Sequence, residues 1–353
     1  MQSFQAGLFA ILCVVALTAC DPVIIEGCQS SGGIKVYCGL EKPEDIEPLG
    51  GHPWLLISEL GNGQTSGGIV ALNLESDQLT RLVAGVDPHS SFPQCGAAPE
   101  KIRPRGFHVS DLRDGGFRLL VVNAADGERI ERYRIDILDD GPMLIWQGCV
   151  SVPDSVFPND VASTGGDGFV VSHMFDGPRS IWLQTKFLLG IHTGYAVAWD
   201  PSTGWNKVEG TDASFPNGVE ADPVNGRVFV GSTYGQTLIV ADLAGINAES
   251  VRIPVQSDNL TVAQDGRLLS VGHTGVPLFG TRGCQRLAGK PCGFPFAVVA
   301  IDPETLAQEV IYEHKDGLIP GASVALSHQG YLYMGTVFGN RVSRVRLSTE
   351  NLP

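Results

Sequence analysis

The chain has 353 residues, 43% of them hydrophobic and only 18% charged, which is enough apolar side chain for a sizeable core. With 24 basic against 38 acidic residues the net charge is −14. That field repels phosphate backbones and anionic membrane surfaces, excludes nucleic acid as a partner, and favours cations such as calcium.

Residues 1–20 read MQSFQAGLFAILCVVALTAC, with no charged side chain before Asp21. The apolar run Ala6–Ala19 is too short to cross a bilayer, which takes about 20 residues, and fits the core of a signal peptide. It ends in Leu17-Thr18-Ala19-Cys20, which resembles a bacterial lipobox whose Cys becomes the lipidated first residue. An ordinary cleaved signal is the alternative, and the basic residues that usually precede such a core are missing. Of the eight Cys, Cys13 leaves with the signal and Cys20 takes lipid. The rest read as disulfides of an exported chain: Cys28–Cys38 and Cys284–Cys292 as local pairs, Cys95–Cys149 by elimination. Zinc is the alternative, but no CxxC occurs and the spacings are irregular. Residues 1–20 are thus a lipoprotein-type signal, 21–39 a linker and 40–348 a single domain.

Along that domain, six short β-branched or aromatic runs share one shape. They are HPWLLISEL at Trp54, GFRLLVVN at Gly116, GFVVSHM at Gly168, GRVFVGST at Gly226, GRLLSVG at Gly266 and GYLYMGT at Gly330. Most follow a turn rich in Asp, Asn or Gly, residues that accept the φ > 0 of tight hairpins. No long amphipathic helix separates them, which argues against a parallel α/β fold. Asp200 in DPSTGW and Asp302 in DPETLA mark type I turns closing outer hairpins. Six units of roughly 40–60 residues predict an all-β fold, a six-bladed β-propeller. Arg341–Arg346 is predicted to be a strand that completes a blade with the N-terminal segment.

Seven to ten residues before each turn stands a polar group, at the place where the innermost strand of a blade enters beside the central channel. Glu44, Asn159, Asn217, Asp258 and Asn259 therefore converge on the axis. Two are anionic and three are neutral amides. That is a hard-cation set, suited to calcium with its six to eight oxygen ligands and poor for zinc or copper. The bland alternative is that these residues only cap turns.

These segments carry a resemblance. PEDIEP, RPRGFHVS, LLVVNAADG, FPNDVAS, FPNGVEADP, SDNLTVAQDG, SVGHTG and GTVFGNRV occur in order over most of residues 40–346. They resemble the paraoxonase/arylesterase family, within the superfamily of calcium-dependent six-bladed propellers that includes gluconolactonases. The resemblance implies that Glu44, Asn159, Asn217, Asp258 and Asn259 hold a catalytic calcium. It implies that Asp45, Asp160 and the carbonyl of Phe107 hold a second, structural one. It also aligns Arg105 and Ala124 with a His pair that activates water in some members. Neither is His here, and Arg cannot act as a general base. His273 matches a family His near the site. His108 lies three residues from the first lost position, on a strand whose alternation need not turn its ring to the axis.

Among the remaining histidines, His52, His89, His314 and His328 read as surface residues. His173 and His192 join His273 as site candidates. Phe175, Trp182, Phe187, Leu188 and Leu189 form an apolar group that either packs in a blade or roofs the site.

The expectation is a calcium-dependent hydrolase of carboxylic esters or lactones, with His273, His108 and Arg105 as catalytic candidates and a small molecule as substrate. A different reaction of the superfamily, such as sugar-lactone hydrolysis, is a third option. The alternative is a non-catalytic propeller that keeps calcium for stability and serves as a binding or scaffold module. Either would sit at the periplasmic face of a bacterial membrane, touching it only through the lipid on Cys20.

Overall fold

In the computed structural model of the chain each of the six runs forms the second strand of an antiparallel unit, four-stranded in five blades and extended in the second by Gly85–Val86, which pairs parallel to Gly141–Ser151. Described are residues 23–62, 65–90, 92, 95–125, 127–275, 284, 290–315 and 319–347. The signal and Cys20 lie outside them. The first blade runs Pro43–Pro48, Trp54–Glu59, Gly68–Asn73 and Leu79–Arg81 from axis to rim. The innermost strands of blades two to six are Pro104–Asp111, Pro158–Gly165, Pro216–Asp222, Gln256–Val262 and Val324–His328. Each touches the next, and the sixth touches the first, so the ring closes.

The sixth blade takes its outermost strand from the other end of the chain. Lys35–Cys38 pairs with Arg341–Arg346, Lys35 opposite Arg344 and Cys38 opposite Arg341. Four residues of the expected linker therefore belong to the propeller. The disulfide Cys28–Cys38 ties the preceding segment to this strand, and Cys95–Cys149 and Cys284–Cys292 are also formed.

The core is divided among the seams. Six clusters of buried apolar residues each join two adjacent blades, as where Leu56 and Ile69 of blade one meet Phe107, Leu119 and Tyr133 of blade two. Burying one such side chain contributes roughly 1.5–3 kcal/mol. The β-branched runs supply it because a pleated strand between two seams is covered on both faces. A helix, Ile181–Leu188, interrupts blade three between its second and third strands, Gly168–His173 and Tyr195–Asp200. Ser180 caps it by accepting the Leu183 N–H at 3.1 Å.

Candidate active site at the end of the central channel

The innermost strands of blades one to four begin alike: Lys42-Pro43-Glu44, Arg103-Pro104-Arg105, Phe157-Pro158-Asn159 and Phe215-Pro216-Asn217. Proline is tolerated there because the first residue of a strand can do without a ladder donor. Just after it, the register breaks. Bulges fall between Pro43 and Asp45, Pro104 and Phe107, Pro158 and Val161, and Pro216 and Val219, with another between Ser257 and Leu260. A bulge puts two residues against one and re-aims side chains. Here it delivers Glu44, Asn159, Asn217, Asp258 and Asn259 to the channel. Lys42 and Phe215, just before two of the prolines, have φ of 53° and 58°. Non-glycine residues in that region are held there by their surroundings.

Glu44, Arg105, Asn159, Asn217, Asp258 and His273 together line a cavity of about 430 Å³ at this end of the channel. An Asn159 amide N–H donates to Asn217 Oδ1. The Asn217 amide donates in turn to Asp258 Oδ1 at 2.7 Å and Thr233 Oγ1 at 3.1 Å. Asn259, 1% exposed, lies beneath and donates to the Glu44 carbonyl at 3.1 Å. Glu44 Oε2 and Asn259 Oδ1 are buried with no hydrogen-bond partner among the described residues. Burial, then Asp45 and Asp258, raises the Glu44 carboxyl well above its usual range, and burial pushes Asp258 up to about 7. Oxygen-only donors, two of them buried without a partner, fit a hard dication.

Asp45 and Asp160 lie one layer deeper, both buried. They are used alike. Asp45 accepts the N–H of Ile46 at 2.9 Å and of Phe107, in the next blade, at 3.0 Å. Asp160 accepts from Val161 and from Val219, in the next blade, both at 2.8 Å. Gly106 leaves room beside them, since a Cβ there would stand 2.1 Å from Asp160 Oδ1. These residues and the Phe107 backbone also fit a cation. Deeper again, the ligand-type atoms of Glu47, His108 and Glu220 lie within 4.8 Å of one another.

His273 is 9% exposed and stands edge-on to Phe294, centroids 4.2 Å apart, with Phe338 behind. Its Nε2 has no hydrogen-bond partner among the described residues, and burial lowers its pKa to about 3. The ring is thus neutral, with an open nitrogen. Arg105 is anchored: its guanidinium donates to Glu128 at 3.1 Å and to the Pro158 carbonyl, and lies over the Phe157 ring. His108 does not line the cavity; its Nδ1 is 3.8 Å from Glu220, deeper in the channel than Asp45 and Asp160. His192 is exposed. His173 is fully buried and structural, its Nδ1 accepting the Phe157 N–H at 2.9 Å and its Nε2 meeting Asp176 at 2.9 Å. It thereby fixes the approach to Pro158-Asn159. His314 and His328, expected at the surface, are buried at 5% and 8% exposure. His314 Nε2 accepts the Ile319 N–H at 2.9 Å, which a reading of flanking turn residues does not reveal.

The helix is part of the wall. Leu183 and Phe187 pack with Met174, Phe175, Phe215 and Tyr234, of which Met174, Phe215 and Tyr234 line the cavity. Trp182, Leu188 and Leu189 point outward at 61%, 52% and 66% exposure, so of the five residues of the expected apolar group only Phe175 and Phe187 pack behind the cavity wall. Among the cavity residues that the sequence did not point to are four cations, Lys42, Arg103, Arg179 and Lys290.

No known family profile matches the chain, and no curated protein is similar to it in sequence. Solved structures are similar in shape. A gluconolactonase from Xanthomonas campestris superposes with a TM-score of 0.51 at 15% identity, over 94% of this chain and 96% of that one. The fold is that of the gluconolactonase-like propellers. A luciferin-regenerating enzyme gives 0.53 at 11% identity, over 89% and 95%. A virginiamycin B lyase from Staphylococcus aureus gives 0.50 at 10%, over 89% and 100%. Hydrolase and lyase names on one architecture mean that the reaction has to be argued from the site.

Proposed function

We propose that this protein is a calcium-dependent hydrolase of carboxylic esters or lactones. The observation that carries the reading is the cavity floor, where carboxylate and amide oxygens from four blades meet beside a neutral imidazole and two of them are buried without a partner. Glu44, Asn159, Asn217, Asp258 and Asn259 would hold the catalytic ion, and Asp45, Asp160 and the Phe107 carbonyl a structural one. Bound there, calcium would polarise the acyl carbonyl and favour the oxyanion that forms when water adds. His273 Nε2 is the open acceptor on the cavity wall for a proton of the attacking water, which then passes to the leaving alkoxide. Water is consumed, the acyl–oxygen bond breaks, and a carboxylic acid and an alcohol are formed, joined as a hydroxy acid when the substrate is a lactone. Arg105 serves by position, bracing the start of the blade-three strand through Pro158 and Glu128.

The test is a panel of aryl esters and γ-, δ- and acyl-homoserine lactones, with calcium and with a chelator. Lactones are expected to turn over faster than aryl esters, and chelation to stop both. One observation favours a second reading, a calcium-stabilised binding module: Arg105 and Ala124 stand where the resembling family carries its His pair. Calcium binding with full thermal stabilisation and no turnover on any substrate would select it.

The mature chain is proposed to begin at a lipidated Cys20 on the periplasmic side. Three formed disulfides support export, and no helix among the described residues is long and apolar enough to cross a membrane. Mass spectrometry of the mature N-terminus decides it; an unmodified chain beginning elsewhere rejects the anchor.

A further inference from the structure

Five cations line the cavity: Lys42, Arg103, Arg105, Arg179 and Lys290. They come from four blades. Lys42 and Arg103 precede the innermost strands of blades one and two, Arg179 the helix of blade three, and Lys290 lies in the insertion of blade five. Arg105 is paired, with Glu128. The other four form no ion pair among the described residues, although Arg103 acts on Glu128 at longer range and Arg179 lies over the Phe175 ring. This is an acidic protein of net charge −14, with anions to spare. Elsewhere several of its cations take them: Lys35 with Asp77, Lys207 with Asp212, Arg227 with Asp222 and Glu304, Arg267 with Asp265 and Glu309.

Gathering unpaired like charges at one mouth costs stability and does nothing for the fold. The carboxylates on the cavity floor do not relieve it, because Glu44 and Asp258 belong to the proposed ion site. Counting Glu128, five cations face three carboxylates before any metal is added.

We infer that the substrate carries a negative charge of its own: a lactone or ester bearing a carboxylate, steered in and held by Arg103 and Arg179 with Lys42 and Lys290. This rests on the proposed hydrolase reading for the reaction, but the charge can be tested without it. A guanidinium matches a carboxylate with two parallel N–H donors, and a cleft lined by one sign of charge raises on-rates by about 10–10³-fold. On hydrolysis, water adds across the acyl–oxygen bond, and a singly charged lactone leaves as a doubly charged hydroxy dicarboxylate.

The probes are 5-oxotetrahydrofuran-2-carboxylate and its carboxamide, nearly identical in shape and different in charge. Each is titrated into calcium-loaded protein by calorimetry, and turnover is followed separately. The carboxylate should bind at least tenfold more tightly, and the difference should shrink as salt rises from 0.05 to about 0.5 M. Arg103→Gln with Arg179→Gln should cut the carboxylate-to-carboxamide binding ratio at least fivefold. Both residues are exposed, so the variants should fold; an unchanged melting temperature checks this. Equal binding of the two probes, including no detectable binding of either at millimolar concentration, overturns the inference. Charge-selective binding without turnover upholds it and removes the hydrolase reading instead. Turnover with equal binding does the reverse.

Discussion

The two ends of the channel are built from the same strands and treat their cations in opposite ways. At the cavity end, where the innermost strands begin, one of five cations is paired. At the other end, where the strands of blades two to four finish, a depression holds Arg113, Arg118, Arg132 and Arg134. Arg118 and Arg132 share Asp167, and Arg134 is held between Asp114 and Asp136. Only Arg113, in an exposed turn, has no acid partner among the described residues. The lower arginines are part of the construction: Asp167, at a blade-three turn, clamps two strands of blade two. Those at the cavity end brace nothing except through Arg105. The comparison separates cations that hold blades together from cations left for a ligand.

The largest expected effect is on the cavity end as a whole. Chelation should abolish hydrolysis and lower the melting temperature, since an ion at about a thousandfold excess over its Kd stabilises the folded state by about 4 kcal/mol. The metal-free protein should then show a distinct pH dependence. Burial raises Asp45 and Asp258 to about 7 and Glu220 to about 8, above unfolded values near 4. These groups keep protons in the folded state that the unfolded chain has released. Their stabilisation is complete below pH ~4 and drains away as pH rises through 7–8. His108 and His273, lowered by burial to about 4 and 3, act the other way below pH ~6.5 but are fewer. Metal-free protein should therefore melt higher at pH 5 than at pH 8. The calcium-loaded protein should reverse the order, because its ligands must be deprotonated. Melting curves that coincide with and without chelator would remove the ion from the site.

Within the donor set, charge ranks the ligands. Asp258→Ala removes one of two anions and strands the Asn217 amide that donates to it at 2.7 Å. Asn217→Ala removes one neutral donor. Calcium affinity, read by titration calorimetry, should fall on the order of 100-fold for the first and about tenfold for the second. A larger loss for Asn217→Ala would mean that the amide chain from Asn159 to Asp258 matters more than charge balance.

Much of this was legible in the sequence, for a physical reason. Hairpin turns and β-branched runs are local signals, and each of the six predicted runs is a second strand. The polar offset was legible because a propeller repeats its channel residues at one place in each blade. What stayed hidden depends on distant pairing. That Arg341–Arg346 completes a blade with the N-terminal segment was legible, but Lys35–Cys38 is too short and mixed to be picked out as its partner strand. The bulges leave no mark beyond a proline shared by KPED, RPRG, FPND and FPNG. Lys42, Arg103, Arg179 and Lys290 each look like an ordinary surface charge, and only closing the ring brings them to one mouth.

Two histidines extend the comparison. His273 faces the cavity with an open Nε2, whereas His108 faces Glu220 deeper in the channel. His273→Gln should lower kcat about 10²-fold or more, in line with a lost proton acceptor, with calcium affinity nearly kept. His108→Gln should change kcat by less than about threefold. Equal losses would mean that proton transfer runs through some other group, a calcium-ligating carboxylate first among them.

The smallest expected effect belongs to the paired end. Asp167→Asn keeps an acceptor for Arg132, now 2.7 Å from the carboxylate, but removes the charge shared with Arg118. Asp167 is half exposed, and ion pairs in that setting are worth up to about 1 kcal/mol. Arg132 also lies over the Phe92 ring at 4.5 Å, a contact the substitution leaves in place. Stability measured by urea unfolding should thus fall by less than about 1 kcal/mol. The substitution frees two guanidinium charges at the lower end, so it imitates the unpaired state of the cavity end without the cavity. If the anion preference belongs to the mouth, the carboxylate-to-carboxamide ratio should stay where it was. A shifted ratio would mean that the preference follows the field of the whole propeller, and the difference between its two ends would then concern architecture alone.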